Sequence, residues 1–166
     1  PGQNNLTTPR DESDKVSMVS NQAKAYDKVF VAGEAAVRRH RAALVDFDES
    51  TLVKVGRPQL DLNPAPTLPV SNRRTVLYAP TWEGEDEMNN FTSLDRYGVA
   101  LIESLLAIPD VRVIYKPHPR VVLSLMPAVS TAHATVVARI AAAAAADPAA
   151  GHEYRADGDI LALFPR

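Results

Sequence analysis

Three side chains suited to binding phosphate, Lys116, His118 and Arg120, follow one another at the end of an apolar run. Residues 111–115 are mostly β-branched or aromatic, which is typical of a buried strand. Two prolines alternate with the three polar residues, and a proline cannot donate a hydrogen bond to a neighbouring strand. We therefore predict that a strand ends near Tyr115 or Lys116 and that the polar side chains lie on the loop after it.

His118 is the strongest candidate for chemistry in this loop. It precedes Pro119, which favours an extended backbone at the histidine and a helix start at the proline. The N–H groups and dipole of a helix start favour an anion, and an imidazole can donate to a phosphoryl oxygen or move a proton. We predict that His118 is catalytic and that Lys116 and Arg120 bind phosphate. The alternatives are an exposed loop histidine, solvated flanking cations, and an ion pair of Arg120 with a carboxylate on its own helix.

Thr81 and Trp82 form a second candidate site, because they follow another apolar run at 75–79. Thr81 offers a hydroxyl and Trp82 an indole N–H or a flat ring, so both could contact a bound phosphate donor. The alternatives are a helix-capping threonine and a tryptophan that anchors a core or an interface. The acidic stretch at 83–90 that follows could coordinate a hard cation, but crowded carboxylates are more typical of a solvated surface, and we predict no metal.

Arginines supply two further candidates in the first part of the chain. Arg57 lies in a glycine-proline loop at 56–61, where its guanidinium could contact a bound phosphate. A structural role of this loop is an equal alternative. The basic helix face of residues 38–41 contains Arg38, Arg39, His40 and Arg41 and could meet anionic lipid or a polyanionic acceptor. His133 and His152 have no partners at metal-ligand spacing, so we interpret both as incidental.

Alternating strands and helices must position these side chains. Residues 1–21 show no periodicity and indicate loop. Predicted strands cover 28–32, 51–55, 75–79 and 111–115, and predicted helices cover 34–44, 96–107, 119–126, 131–146 and 159–164. We expect Asp95 to cap the helix at 96–107, with Leu101, Leu105 and Ile108 facing the core. This order predicts an α/β fold with a Rossmann-like parallel sheet and flanking helices, in which ligands lie at the carboxyl ends of the strands.

Composition limits the possible partners and compartments. The 166 residues carry a net charge of −2, which gives no general reason to bind nucleic acid. There is no cysteine, which fits a reducing compartment, and no run of about 18 to 20 continuous apolar residues for a membrane span. We predict a cytoplasmic location.

A proline-rich stretch at 62–72 without charged residues suggests a semi-rigid connector. It separates a first region, residues 1–70 with the connector, from a second region, residues 71–166. Two domains are therefore expected.

Three segments recur together in one known family. They are GRPQLD at 56–61, VLYAPTW at 76–82, and DVRVIYKPHPR at 110–120. In their order and separations they resemble the CDP-glycerol glycerophosphotransferases, the teichoic acid polymerases and primases. The resemblance covers roughly residues 27–166.

This resemblance implies a two-lobed GT-B glycosyltransferase fold, with 1–70 ending the acceptor-side lobe and 71–166 beginning the nucleotide-binding lobe. It implies transfer of glycerol phosphate from CDP-glycerol to a hydroxyl of a lipid-linked polyol-phosphate acceptor, with release of CMP and without a cofactor. His118 matches the family's His-Pro motif and would hold or protonate the phosphate. Contact with the inner face of the cell membrane is also implied.

Two family motifs have no counterpart in this sequence. One is a second histidine in a His-Gly segment, and the other is a phosphate-binding aspartate and serine. We therefore expect the chain to be part of a longer protein and to be inactive alone. Two other interpretations stay open: a GT-B enzyme that uses a sugar nucleotide, and a non-catalytic α/β binding module of flavodoxin type, which would lack an obvious acidic phosphoacceptor pocket.

Overall fold

The computed structural model describes residues 6–7, 19–62, 64–85 and 90–164. The chain divides into two compact units, Pro1–Asn63 and Pro64–Arg166. Each unit contains a small parallel sheet flanked by helices, so the prediction of an α/β fold is confirmed.

The first unit has a parallel sheet in the order β1-β2-β3. The strands are β1 (Leu6–Thr7), β2 (Lys28–Val31) and β3 (Leu52–Lys54). The helices are α1 (Glu34–Ala43) and the short α2 (Pro58–Asp61), with 3-10 turns at Asn21–Ala25 and Glu49–Thr51. The expectation of loop throughout residues 1–21 is wrong at β1, because Leu6 and Thr7 pair with the exposed side of β2. The other residues up to 18 lie outside the described part.

The basic helix face at 38–41 and the loop at 56–61 differ from their predictions. His40 is not part of a basic surface, because its ring is buried and its Nδ1 lies 2.9 Å from the carbonyl oxygen of Ala36. Arg41 is paired with Glu49 at 2.7 Å. The segment after Arg57 is helical from Pro58, and no residue of that short helix is buried.

The second unit has a parallel sheet in the order β4-β5-β6. The strands are β4 (Arg74–Tyr78), β5 (Val111–Tyr115) and β6 (Glu153–Tyr154). The helices are α3 (Val99–Leu106), which continues a π-helical turn at Leu94–Gly98, and α4 (Pro127–Ala146). Shorter 3-10 turns lie at Pro119–Leu123, Pro148–Ala150 and Ile160–Leu163. The sequence did not indicate β6, which is only two residues long and polar at Glu153.

The core of this unit forms where α3 and α4 pack on the central strand β5, all five residues of which are buried. Ile102 faces this core from α3, whereas Leu101 and Ile108 are about 40% exposed (39% and 41%). The predicted stripe is therefore wrong at Leu101 and Ile108, although Leu105 does pack against the core. Apolar residues lie around most of the helix, so their spacing was compatible with either Leu101 or Ile102 facing the core.

Asp95 does not cap the helix that follows it. It lies inside the π-helical turn, and the Leu94 N–H instead donates to the Thr92 hydroxyl at 3.3 Å. The chain therefore becomes helical two residues earlier than a cap at Asp95 would allow.

The proline-rich stretch is attached to the second unit. The Thr67 N–H donates to the carbonyl of Ala162 at 2.8 Å, and the buried Arg112 donates to the carbonyl of Pro69 at 2.7 Å and to the Thr75 hydroxyl at 2.9 Å. Thr67 is thus held by the 3-10 turn at Ile160–Leu163, and Pro69 is held by β5.

By length and composition, α4 is the one helix among the described residues that could cross a membrane. Polar residues interrupt this helix, among them His133 and Arg139, so it is not a run of continuous apolar residues. Its face of Val129, Val136 and Ile140 belongs to the core, and Arg139 on another face pairs with Glu103 at 2.9 Å. These contacts are those of a helix packed on a sheet.

Candidate functional site

The loops after β4 and β5 run side by side. The parallel register matches Tyr78 with Tyr115, and the pairing continues past both strands. The Lys116 N–H donates to the carbonyl of Tyr78, and the His118 N–H donates to the carbonyl of Pro80, both at 2.9 Å. The two candidate segments predicted from sequence, at 81–82 and 116–120, are thereby brought together, and the strand ends at Tyr115 as predicted.

Lys116 is buried, with 7% of its surface exposed. Within the described part of the chain, no ion pair or side-chain hydrogen bond engages its ammonium group. A buried charge is normally paired, because burial removes its hydration. This lysine is therefore a candidate to bind an anion at the end of β5.

The geometry of His118 fixes its neutral tautomer. Its backbone is extended, with φ −58° and ψ 140°, and Pro119 begins the 3-10 turn, as predicted. The Arg120 N–H donates to Nδ1 at 3.2 Å, so a neutral ring carries its proton on Nε2. The side chain is exposed.

The prediction that a helix start supplies N–H groups to an anion is wrong. The turn Pro119–Leu123 is five residues of 3-10 helix, and its first donors are already used. Arg120 donates to the His118 ring, and Val121 donates to the His118 carbonyl at 2.9 Å. The N–H groups of Arg120 and Val121 are therefore not available to an anion.

Trp82, in the loop after β4, contacts two residues of the loop after β5. Its ring stacks on the His118 ring with centroids 6.2 Å apart, and the Arg120 guanidinium carbon lies 4.3 Å from the Trp82 centroid. Arg120 also lies 3.8 Å from a carboxylate oxygen of Glu85, which is in the neighbouring loop and not on its own helix. The cation of Arg120 is therefore divided between an aromatic face and a carboxylate.

Thr81 and Arg57 are the other two residues that were predicted to contact the phosphate donor. The carbonyl of Thr81 accepts a hydrogen bond from the Thr92 hydroxyl at 2.7 Å, so the backbone of Thr81 is anchored while its side chain is partly buried. Arg57 lies in the first unit, at the start of α2. Its proposed contact with phosphate stays a prediction.

The rings of Tyr115, His133 and Tyr154 pack together at the end of β5. The Tyr115 hydroxyl lies 3.0 Å from Nδ1 of His133, and both rings contact Tyr154. Burial raises the pKa of Tyr115 far above its ordinary value and lowers the pKa of His133. Interpreting His133 as incidental was wrong, because it contacts the last residue of β5.

His152 is also structural. The N–H of Val113 in β5 donates to Nδ1 of His152 at 3.0 Å, a bond that only an unprotonated Nδ1 can accept. Burial lowers the pKa of His152, and the nearby Arg73 lowers it further. Sequence spacing could not reveal this role because 39 residues separate the partners.

A cavity of about 960 Å³ lies beside these loops. Trp82 and Arg120 line it, but Lys116, His118 and Thr81 do not. Its polar wall includes Glu83, Asp95 and Arg96, and its apolar wall is formed by Leu123, Leu125 and Met126. The sequence gave no indication of this cavity because its walls come from three separate segments.

Carboxylates in this region do not assemble a metal centre: within residues 6–7, 19–62, 64–85 and 90–164, no three His, Asp or Glu side chains could share an ion.

Comparisons with protein-family models, with curated proteins and with solved structures find no match for this chain.

Proposed function

We propose that this chain is part of a CDP-glycerol glycerophosphotransferase and that the loop at 116–120 binds the diphosphate of the donor. The observation that carries this proposal is the buried Lys116 at the end of β5, whose ammonium group has no anionic partner in the described residues. A phosphate oxygen would supply that partner. The carboxyl end of a parallel strand is also where α/β sheets bind ligands.

His118 fits the role of a donor to phosphate. Its Nδ1 accepts the Arg120 N–H, so the proton of a neutral ring is on Nε2, and in this proposal Nε2–H donates to an oxygen of the diphosphate when the donor is bound. In the proposed reaction, an acceptor hydroxyl attacks the phosphorus that bears glycerol, and the bond from that phosphorus to the bridging oxygen breaks. CMP leaves with the bridging oxygen, which Nε2–H of His118 stabilises or protonates, while the proton of the attacking hydroxyl passes to solvent.

Arg120 and Trp82 complete the proposed donor contacts. The stacking of Trp82 on His118 limits rotation of the imidazole, and the Arg120 guanidinium lies over the Trp82 ring. The pairing of the two loops through His118 N–H and the Pro80 carbonyl supports a fixed geometry, which phosphoryl transfer requires.

The two units are compatible with the proposed two-lobed GT-B architecture, with the first unit on the acceptor side and the second on the nucleotide side. In this proposal the acceptor is a lipid-linked polyol phosphate at the inner face of the membrane. Arg38 of α1 is exposed and could contact anionic lipid, whereas Arg39 is only partly exposed, His40 is buried and Arg41 is already paired.

A donor panel tests this proposal. The chain is titrated by calorimetry with CDP-glycerol, with UDP-glucose and with cytidine, and CMP or UDP release by the complete protein is followed in the presence of a polyol-phosphate lipid. We expect CDP-glycerol to bind more tightly than either comparison compound. Tighter binding of UDP-glucose would favour a sugar-nucleotide enzyme, and equal binding of cytidine would show that the diphosphate is not recognised.

A further inference from the structure

One backbone N–H in the middle of β5 donates to a side chain and not to a neighbouring strand. The Val113 N–H donates to Nδ1 of His152 at 3.0 Å. His152 directly precedes β6, and the first residues that β5 and β6 pair are Ile114 and Glu153. The imidazole therefore extends the pairing of the two strands by one hydrogen bond.

β6 is a short strand at the edge of the sheet. It is two residues long, and both of them pair with β5. The Arg155 N–H donates to the Tyr115 carbonyl at 2.9 Å, and the Tyr154 ring packs on the rings of Tyr115 and His133. Because so short a strand makes few hydrogen bonds, the bond to His152 is a large part of its attachment to β5.

Protonation of His152 removes this bond. Nδ1 accepts a hydrogen bond only while it carries no proton, and in the imidazolium both ring nitrogens are donors. A protonated Nδ1 would face the Val113 N–H donor to donor and leave it without an acceptor. Val113 is fully buried, so the unsatisfied N–H would be costly. The protonated ring must therefore move away from β5.

His133 at the same edge of the sheet does not share this property. Its Nδ1 lies 3.0 Å from the Tyr115 hydroxyl, which can donate to a neutral ring or accept from a protonated one. Protonation of His133 therefore reverses a hydrogen bond, whereas protonation of His152 breaks one.

The charged groups around His152 keep it neutral in the folded chain. They are Arg73 before β4, Arg112 on β5 with its side chain against Gly151, Asp147 after α4, Glu153 on β6 and Arg155 after it. Burial lowers the pKa of His152, Arg73 lowers it further, and Asp147 opposes both effects. Asp147 is paired with Arg73 at 2.8 Å, and Glu153 with Arg155 at 2.8 Å, so each carboxylate already has a cation.

We infer that His152 is a pH-sensitive fastener of β6: when its ring takes up a proton, β6 detaches from β5 while β4 and β5 stay paired. Detachment also removes the Tyr154 ring from Tyr115. A released histidine takes up a proton near the ordinary pKa of about 6.5, whereas the fastened one does so only at lower pH. The detached population should therefore grow about tenfold for each pH unit between these two values. The inference does not depend on the proposed transfer reaction.

Amide hydrogen exchange followed by NMR between about pH 7.5 and pH 5 tests this inference, because it separates local from global opening. The Val113 and Arg155 N–H groups report on the fastener and on β6, and the Lys116 N–H, which donates to the Tyr78 carbonyl, reports on the pairing of β4 with β5. We expect Val113 and Arg155 to share one protection factor, about tenfold or more below that of Lys116. Below about pH 6.5 this shared factor should fall about tenfold per pH unit.

His152→Asn is the matched variant, because its amide oxygen can accept from the Val113 N–H and does not titrate. It should keep Val113 and Arg155 protected with almost no dependence on pH, whereas His118→Asn, in the loop after β5, should retain the dependence of the wild-type chain. An unchanged pH dependence in His152→Asn would overturn the inference. If this variant does not fold, the wild-type chain still decides. Protection of Val113 and Arg155 that is independent of pH, or equal to that of Lys116 at every pH, would overturn the inference as well.

Discussion

Replacement of Lys116 by methionine should stabilise the protein while weakening its binding of phosphate. Methionine has a similar length and no charge, so it can occupy the same buried position without the cost of burying an ammonium group. A lysine kept for structure would have the opposite effect. The variant therefore separates a ligand-binding role from a structural one.

The burial of Lys116 sets the size of the expected gain in the free energy of unfolding. Burying an ion costs several kcal/mol, but the 7% exposure of Lys116 allows its ammonium to keep some hydration at the end of a flexible stem. We therefore expect a gain of about 1 to 2 kcal/mol. For a unit of this size, that corresponds to a rise in melting temperature of about 5 °C or more.

Thermal unfolding followed by circular dichroism measures this change, with Lys54→Met as the control. Lys54 is exposed and pairs with Glu34 at 3.2 Å, so its loss should alter stability by no more than about 0.5 kcal/mol. Pyrophosphate should raise the melting temperature of the wild-type chain and have little effect on Lys116→Met. A lower melting temperature for Lys116→Met would refute the reasoning, because it would show that the lysine stabilises the fold.

Three further predictions concern other parts of the second unit. Gly98→Ala places a Cβ 2.6 Å from Cδ1 of the buried Leu94, so we expect a loss of about 1 to 2 kcal/mol in urea unfolding, and a neutral result would show that Leu94 can move aside. Burial lowers the folded-state pKa of His133 and His152, so stability should be complete above the unfolded pKa of about 6.5 and fall as the pH drops below it. A melting temperature that stays constant between about pH 7 and pH 5 would contradict this. In the complete protein, His118→Ala should leave the melting temperature unchanged and reduce CMP release about 10²-fold, whereas near-normal release would remove the histidine from the mechanism.

The strand ends could be predicted from sequence because their signals are local. A β-branched run followed by alternating prolines marks where β5 must stop, and the structure ends it at Tyr115. The partners of the loop could not be predicted in the same way. Trp82 contacts His118 and Arg120 only because the parallel register of β4 and β5 places their following loops together.

Features that depend on tertiary packing were missed or misassigned. The choice of Ile102 over Leu101 as the core residue of α3 is made by α4 and β5, since the helix is apolar on several faces. The use of the Arg120 and Val121 N–H groups by His118 also removed the expected anion site at the helix start. Local patterns specify elements, whereas the surrounding chain determines which groups remain available.

The affinity of CDP-glycerol for the wild-type chain and for Lys116→Met tests the central proposal most directly. Titration calorimetry should show about tenfold or greater weakening in the variant, the scale of a hydrogen bond to a charged group, with no loss of folding. The Lys54→Met control should bind as the wild type does. Equal affinity of Lys116→Met and the wild-type chain would contradict the assignment of this strand end to the donor diphosphate.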